Sequence, residues 1–470
     1  MRQIKLPLSG QKKLSPLLFG HNLEHTRGCV YGGLSGELLR NRKFAGMPTK
    51  NQGCAEEWHP IGNVFCQMTN PPYTRHCEPS KMARKNEIHA LSLQNLSEGL
   101  CGVEQGGLYL EKNKTYLFRI VVHAQYAACL TASLSDGDKT LVSHTFPVSN
   151  GDWETVSFSL SCPGQTENGK FSVTFGGKNE VTFGAFSLLP GDHFHGMRRD
   201  VTEKLKALSP KLLRWPGGNF AGEYRFKDGF LPPDRRAPIQ SVMEEETQPF
   251  THGYDNHEIG TDECLALCRE VGAEPMITVN LFWDSPEDCA DWVEYCNGDV
   301  STPYGRLRAE RGHPEPYNVR FWALGNEMGY AHMEGPDGAA AYYRAAKACG
   351  EAMLARFPNL TLVSSGPYLN EEWIKNSTLP LASIAPFTSH HFYGGFDETL
   401  KYVTDEQIRK GYERMMQTVG EAEDSLRVLS AGLNGKCRIS LDEWNGWFAW
   451  YRRIAPAEGI FVAKMLHLLA

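Results

Sequence analysis

An α/β fold interrupted by an antiparallel β module is what the 470 residues predict, on three observations. Residues 102–190 carry period-2 apolar alternation broken by Ser, Asp, Gly and Asn turns. From about residue 200 short apolar runs alternate with helical patterns, which implies a parallel sheet. One more apolar run, 14–20, stands ahead of the module, so the module is inserted into the α/β part rather than placed before it. The runs make seven α/β strands, one short of a closed (β/α)8 barrel. The expected architecture is a TIM-barrel apparently lacking its eighth strand in this chain, with an inserted antiparallel β-sandwich. Residues 1–50 start the barrel, 51–190 form the insert and 191–470 supply the remaining barrel.

Each element is read from its own pattern. In the insert, Tyr116-Leu-Phe-Arg-Ile-Val-Val and Trp153-Glu-Thr-Val-Ser-Phe-Ser-Leu alternate as half-buried strands do. Asp200, with Glu203 three residues on, predicts a capping box that opens a helix. Strands are predicted at 14–20, 211–215, 275–280, 320–324, 361–364, 387–389 and 438–441, each a short apolar run ending in polar or Gly-rich residues. A helix is predicted over 338–356. There Tyr343, Ala346, Gly350, Met353 and Phe357 recur at spacings of three and four, giving a face to pack on the barrel wall.

Composition excludes several classes of function. With 48 Lys plus Arg against 55 Asp plus Glu, the formal charge is −7, no footprint for a phosphate backbone or an anionic membrane. Nucleic acid and membrane are therefore not expected as partners. The N-terminus lacks the apolar core of a secretory signal and no run of about 18 apolar residues occurs, so a soluble, cytoplasmic protein is expected. Thirteen Cys without a CxxC pair argue against a disulfide framework or structural zinc. Cys264 and Cys268 share a helix face and read as buried thiols rather than soft-metal ligands.

In such a barrel, catalytic side chains sit at the C-terminal ends of strands. Two strands end in carboxylates: Arg320-Phe-Trp-Ala-Leu-Gly-Asn-Glu327 and Arg438-Ile-Ser-Leu-Asp-Glu-Trp-Asn445. Asn-Glu and Asp-Glu recur elsewhere in the chain, so placement does the selecting. Paired carboxylates are what glycosidic cleavage requires, and Trp322, Trp444 and Trp447 beside them offer faces for sugar rings. One carboxylic acid must protonate the leaving oxygen while a carboxylate attacks the anomeric carbon or activates water. Arg214-Trp-Pro-Gly-Gly-Asn219 follows a strand, and its glycines allow close backbone approach to a ligand with Arg214 and Asn219 as donors. A structural turn is the equal alternative there. His390-His391-Phe-Tyr393 has the look of a metal pair, but adjacent strand side chains face opposite ways, and no metal is expected. Gly20-His-Asn-Leu-Glu-His25 would put Glu24 at the same barrel mouth, with a purely structural role as the alternative.

At these residues the sequence resembles glycoside hydrolase family 51, the alpha-L-arabinofuranosidases of the retaining barrel clan. The resemblance runs through Phe19-Gly-His-Asn-Leu-Glu-His25, Asn41-Arg-Lys-Phe44, Arg214-Trp-Pro-Gly-Gly-Asn-Phe220, Trp292-Val-Glu-Tyr-Cys-Asn297, Gly312-His-Pro-Glu-Pro-Tyr-Asn318, Trp322-Ala-Leu-Gly-Asn-Glu327 and Asp442-Glu-Trp-Asn445. It implies that Glu327 is the general acid/base and Glu443 the nucleophile. Asn326 would hydrogen-bond the sugar 2-hydroxyl, Glu24, Arg214 and Asn219 would bind the sugar or orient the nucleophile, Tyr393 would lie beside the nucleophile and His391 would support that shell. The insert takes the place of a carbohydrate-binding-like module in some members. Gly329-Tyr-Ala-His-Met-Glu334 departs from the family pattern on the leaving-group side. The family would continue past residue 470 with an eighth strand and a β-sandwich, residues 458–470 being the helix that leads there, so a piece of a longer protein is expected.

The expected function is removal of terminal alpha-L-arabinofuranosyl groups from arabinan, arabinoxylan or their oligosaccharides, without metal or organic cofactor. The alternatives are a β-xylosidase or endo-β-glucanase of the same clan, or a carbohydrate-binding protein without turnover. Oligomeric state is left open.

Overall fold

The structure, a computed structural model, describes residues 14–50, 53–69, 89–241, 248, 250–329, 337–366, 369–395, 404–446 and 455–470. The chain divides into two compact units. One holds Met1–Leu23, Ser209–Gly218 and Gly272–Ala470, the other Glu24–Leu208 and Asn219–Val271.

The first unit is built on a parallel sheet of seven strands among the described residues: β1 (Gly20–Asn22), β2 (Leu212–Trp215), β3 (Glu274–Val279), β4 (Phe321–Leu324), β5 (Thr361–Ser364), β6 (Phe387–Gly394) and β7 (Arg438–Gly446). Each pairs with the next in chain order, and β1 also touches β7, so the sheet curls into a nearly closed barrel. Strands covered on both faces are apolar throughout, and Phe321, Trp322, Ala323 and Leu324 are accordingly all buried. Alternate residues serve the two faces. Met276, Phe321, Ala323 and Val363 form one cluster. Trp322 turns the other way onto Trp292 of the helix Pro286–Asn297, ring centroids 5.9 Å apart at 80°, and Trp292 meets Trp215 in the same fashion. Trp322 is thus a core residue with no exposed face, which corrects its expected place beside a sugar. Trp444 packs partly buried against the cluster that joins the helices Asp405–Leu433 and Pro456–Leu469, and Trp447 lies outside the described residues.

Several other expectations need adjustment. The first strand begins only at Gly20, because Pro16–Leu18 close a 3-10 turn, Pro16 having no N–H to give a ladder. The helix expected to be capped by Asp200 starts one residue earlier, at Arg199, and Asp200 spends its carboxylate on Arg198 at 2.6 Å. The helix Gly338–Arg356 has the expected bounds, but its buried face carries Tyr342 in place of Tyr343, with Ala346, Gly350 and Met353. Tyr342 is drawn in by its hydroxyl, which donates to Leu324 O at 3.0 Å, and by stacking on Trp373. Strands β6 and β7 run on five residues beyond their expected ends, through the very segments thought to follow them.

Among the described residues the second unit contains two five-stranded antiparallel sheets. One orders His59–Ile61, Leu100–Leu110, Thr166–Gly176, Ala128–Asp136 and Lys139–Val148, the other Val64–Thr69, Ala90–Asn95, Glu180–Pro190, Thr115–Ala124 and Glu154–Ser161. Alternation does its expected work: Phe118, Ile120 and Val122 point into a core with Trp58, Phe171 and Phe186. Tyr109 and Tyr126 lie outside that core, 52% and 60% exposed, and Trp153 is half-buried. The Asn41-Arg-Lys-Phe44 segment ties this unit together. Arg42, fully buried, forks onto Glu258 at 2.6 and 2.7 Å and onto Asp234 at 2.7 Å, while Arg119 takes the other side of Asp234. Burial opposes the charge on Asp234, yet the two guanidiniums outweigh it and hold the carboxyl far below the usual carboxylate range.

Candidate active site

The ends of β2, β4, β6 and β7 bring Arg214, Asn326, Glu327, His391, Tyr393 and Glu443 together. Glu443 is nearly sealed, its side chain 7% exposed. Arg214 Nη1 donates to its Oε1 at 2.7 Å and the Tyr393 hydroxyl donates to its Oε2 at 2.8 Å. Arg214 is itself buried and uses its planar fork further, on Asn326 Oδ1 at 2.5 Å and Asn22 Oδ1 at 3.2 Å. Glu327 is the more open carboxylate, 23% exposed, with Oε1 2.9 Å from His391 Nδ1. One oxygen of Glu327, one of Glu443 and one ring nitrogen of His391 lie within 4.8 Å of one another.

Two backbone devices create this arrangement. Along β6 and β7, His390 pairs with Leu441 but His391 pairs with Glu443, so Asp442 is an extra residue in the ladder. In an unbroken strand Asp442 and Glu443 would face opposite ways. The bulge turns both toward His391, Asp442 Oδ1 at 3.2 Å from Nε2 and Glu443 Oε2 at 3.4 Å from Nδ1. The second device is the turn after β4, where Gly325 has φ +79° and Glu327 φ +48°. A left-handed non-glycine residue persists only where its surroundings hold it. Here Met328 N–H donates to Ser365 Oγ at 3.0 Å, and Ser365 N–H donates to the Tyr342 hydroxyl at 2.5 Å.

Gly325 is required twice over. A Cβ there would meet Met328 Cγ at 2.7 Å, in a backbone region that side chains avoid. Gly325→Ala is expected to destabilise the protein by about 1–3 kcal/mol and to lower kcat by displacing Glu327. Gly272→Ala, with φ +73° but nothing within 4 Å, separates the two costs: it should lose about 1 kcal/mol in urea unfolding and keep full turnover.

The electrostatics follow from the contacts. Burial works against a charged His391, but Glu443, Asp442 and Glu327 outweigh it and raise its pKa from 6.5 to about 10. Burial likewise opposes charge on Asp442, and the bonds from His391 and Ser389 with the Arg214 charge hold its carboxyl below the ordinary value. His390 differs. Burial and the neighbouring His391 charge push it down to about 4, and its Nε2 meets Ser425 Oγ of the helix Asp405–Leu433 at 2.7 Å. The vicinal histidines therefore serve different partners. Glu327, His391 and Glu443 are close enough to crowd a cation, but both His391 nitrogens are engaged by carboxylates, so the trio reads as an ion cluster.

Glu24 and Asn219 belong to the second unit, where Phe220 N–H donates to Glu24 Oε1 at 3.2 Å and Asn219 opens the short turn Asn219–Gly222. Residues 330–334, the divergent loop, lie outside the described residues. Sequence reasoning missed Asn22, Ser365, Ser389, Tyr342 and Asp442 as parts of the site. Asn22 and Asp442 stood inside quoted motifs, whereas the serines and Tyr342 gave no local signal.

Comparison with known proteins bears on this arrangement. Residues 204–414 match the alpha-L-arabinofuranosidase 1 domain. Alpha-L-arabinofuranosidase C of Emericella nidulans is 32% identical over 267 residues, 54% of this chain and 51% of the relative. The intracellular exo-alpha-(1->5)-L-arabinofuranosidase of Halalkalibacterium halodurans is 28% identical over 266 residues, 55% and 51% of the two chains. The chain thus spans about half the length of the curated relatives it matches. Among solved structures, the arabinose-bound MgGH51 alpha-L-arabinofuranosidase shares the fold, with a TM-score of 0.66 and 19% identity over 91% of this chain and 74% of the other. Over about half of its length, and through residues 204–414 in particular, the chain is similar to the alpha-L-arabinofuranosidases.

Proposed function

We propose that the chain is a retaining exo-glycosidase that hydrolyses terminal non-reducing alpha-L-arabinofuranosyl residues of arabinan, arabinoxylan or arabino-oligosaccharides. The observation that carries this is the approach of Glu327 and Glu443, whose nearest carboxylate oxygens lie within 4.8 Å. Retaining enzymes place the two carboxyl groups about 5–5.5 Å apart, whereas inverting ones leave room for a water. Glu443, fixed by Arg214 and Tyr393, attacks the anomeric carbon while Glu327 gives its proton to the leaving oxygen. Glu327 then takes a proton from the water that displaces Glu443. Asn326, whose Oδ1 accepts from Arg214, hydrogen-bonds the sugar 2-hydroxyl. His391 and Tyr393 line the reacting groups.

We read the parallel sheet as seven strands of a (β/α)8 barrel begun by residues 1–50 and continued by 191–470. Residues 51–190 form a carbohydrate-binding-module-like insert, for which exposed Tyr109 and Tyr126 are candidate sugar platforms. The H. halodurans relative is named intracellular, which supports a cytoplasmic site of action on imported oligosaccharides. Among the described residues no helix is long and apolar enough to cross a membrane.

Release of p-nitrophenol from its alpha-L-arabinofuranoside, beside the β-xyloside and a β-glucan, tests the reading. Turnover of the arabinofuranoside at least about tenfold above the others is expected. Turnover of the xyloside or glucan alone would move the substrate, and binding of arabino-oligosaccharide without release would overturn catalysis.

A further inference from the structure

His391 stands between three carboxylates, and its two nitrogens face different ones. Nδ1 lies 2.9 Å from Glu327 Oε1 and 3.4 Å from Glu443 Oε2, while Nε2 lies 3.2 Å from Asp442 Oδ1. A neutral imidazole has one N–H, so one ring nitrogen would point a lone pair at a carboxylate. Ser389 closes the escape from that argument. Its hydroxyl is 3.1 Å from Nε2 but only 2.6 Å from Asp442 Oδ1, and its single proton goes to the aspartate. Nε2 therefore gives its proton to Asp442, and Nδ1, which faces the ionised Glu443 as well as Glu327, carries the second.

The groups around the ring are Glu327 after β4, Asp442 and Glu443 on β7, His390 and Tyr393 on β6, and Arg214 on β2. In the resting state Arg214 and His391 balance Asp442 and Glu443, provided Glu327 holds its proton. When Glu443 forms its bond to the anomeric carbon and the bond to the leaving oxygen breaks, Glu443 loses its charge and Glu327 passes its proton to that oxygen. Glu327 is then the anion, and the sum is again zero. When water attacks, its proton returns to Glu327 and Glu443 leaves as carboxylate. His391 is the cation that touches both ends of this exchange.

We propose that Asp442, clamped by Ser389, is a positioning residue that keeps His391 doubly protonated, so that His391 passes its counter-charge between Glu443 and Glu327 during the two displacements. This rests on the retaining reading above. Catalysis by such a fixed charge needs no reorganisation as the charge moves, which is where a preorganised site gains most.

Asp442→Asn removes the charge and keeps an acceptor oxygen for Nε2. Two readouts are taken on the full chain: the His391 ring by 15N-histidine NMR, assigned with His391→Gln, and pH profiles of kcat and kcat/KM on the aryl arabinofuranoside. In the wild type, His391 should stay protonated from pH 6 to 9. In Asp442→Asn it should titrate inside that range, kcat should fall at least about tenfold from pH 6 to 9 where the wild type shows no such limb, and KM should change little. Ser389→Ala should move both readouts the same way by a smaller amount, which guards against poor folding of the first variant. A His391 that stays protonated in Asp442→Asn, or a profile merely scaled down at every pH, would overturn the proposal. A wild type inactive on the arabinofuranoside would instead sink the retaining reading and the charge-sharing role with it, while the NMR titration still decides the clamp.

Discussion

Glu443→Ala is expected to abolish hydrolysis of both aryl arabinofuranosides and arabino-oligosaccharides, by at least about 10⁴-fold in kcat, the scale on which removing a nucleophile acts in other hydrolases. The contrast with Glu327→Ala makes the expectation specific. In the proposed mechanism Glu327 acts on the leaving oxygen, and a nitrophenolate leaves without help, so its loss should slow bond cleavage of the aryl substrate far less than that of an oligosaccharide. The oligosaccharide should lose about 10²–10⁴-fold, the usual reach of general acid catalysis. With the aryl substrate, the slow step becomes attack of water on the glycosyl-enzyme, seen as a burst of nitrophenol followed by a slow steady state. Azide added to Glu443→Ala should fill the space left by the carboxylate and give arabinosyl azide of inverted configuration. Equal damage from the two variants on both substrates, or a retained azide from Glu443→Ala, would exchange or erase the assigned roles.

How much of this was legible in the sequence can be argued from particular residues. The strand Thr361–Ser364 and the helix Gly338–Arg356 have their expected limits, because each is a local apolar pattern with clear ends. Glu327 and Glu443 were legible as titratable groups at strand ends, and Arg214 as a polar residue closing an apolar run. Asp442 was visible as a neighbour of Glu443, but a period-2 strand sends neighbours to opposite faces. Only the bulge, a property of the β6–β7 pair, lets it reach His391. Tyr342 and Tyr343 fit the helix face almost equally. What selects Tyr342 is a carbonyl at the end of β4 and an N–H after β5, contacts far apart in the chain. Trp322 misled for the opposite reason: an aromatic near a candidate carboxylate in sequence alternates away from it in the strand, onto Trp292.

Arg214→Met is expected to be the most damaging change to stability. The wild-type guanidinium is buried with Glu443, Asn326 and Asn22 on its fork and Asp442 at 3.9 Å. Removing one partner from a buried charged pair leaves the other uncompensated, which costs about 3–5 kcal/mol. Asn326 and Asn22 lose a donor as well, and Glu443 loses the bond that aims Oε1, so kcat should fall with stability. The pH dependence identifies the cause. Arg214 helps hold the Asp442 carboxyl below its ordinary value of 3.8, so the stability this confers is present above pH 3.8 and is lost as pH falls through the lower folded value. The deficit of Arg214→Met should therefore be full at neutral pH and shrink on acidification below about pH 4, where the wild type surrenders the same contribution. Urea unfolding at pH 7 and at pH 3.5 reads the difference directly. A deficit that stays constant across that range would mean that Arg214 acts through packing of its apolar stem and not through the carboxylates it touches.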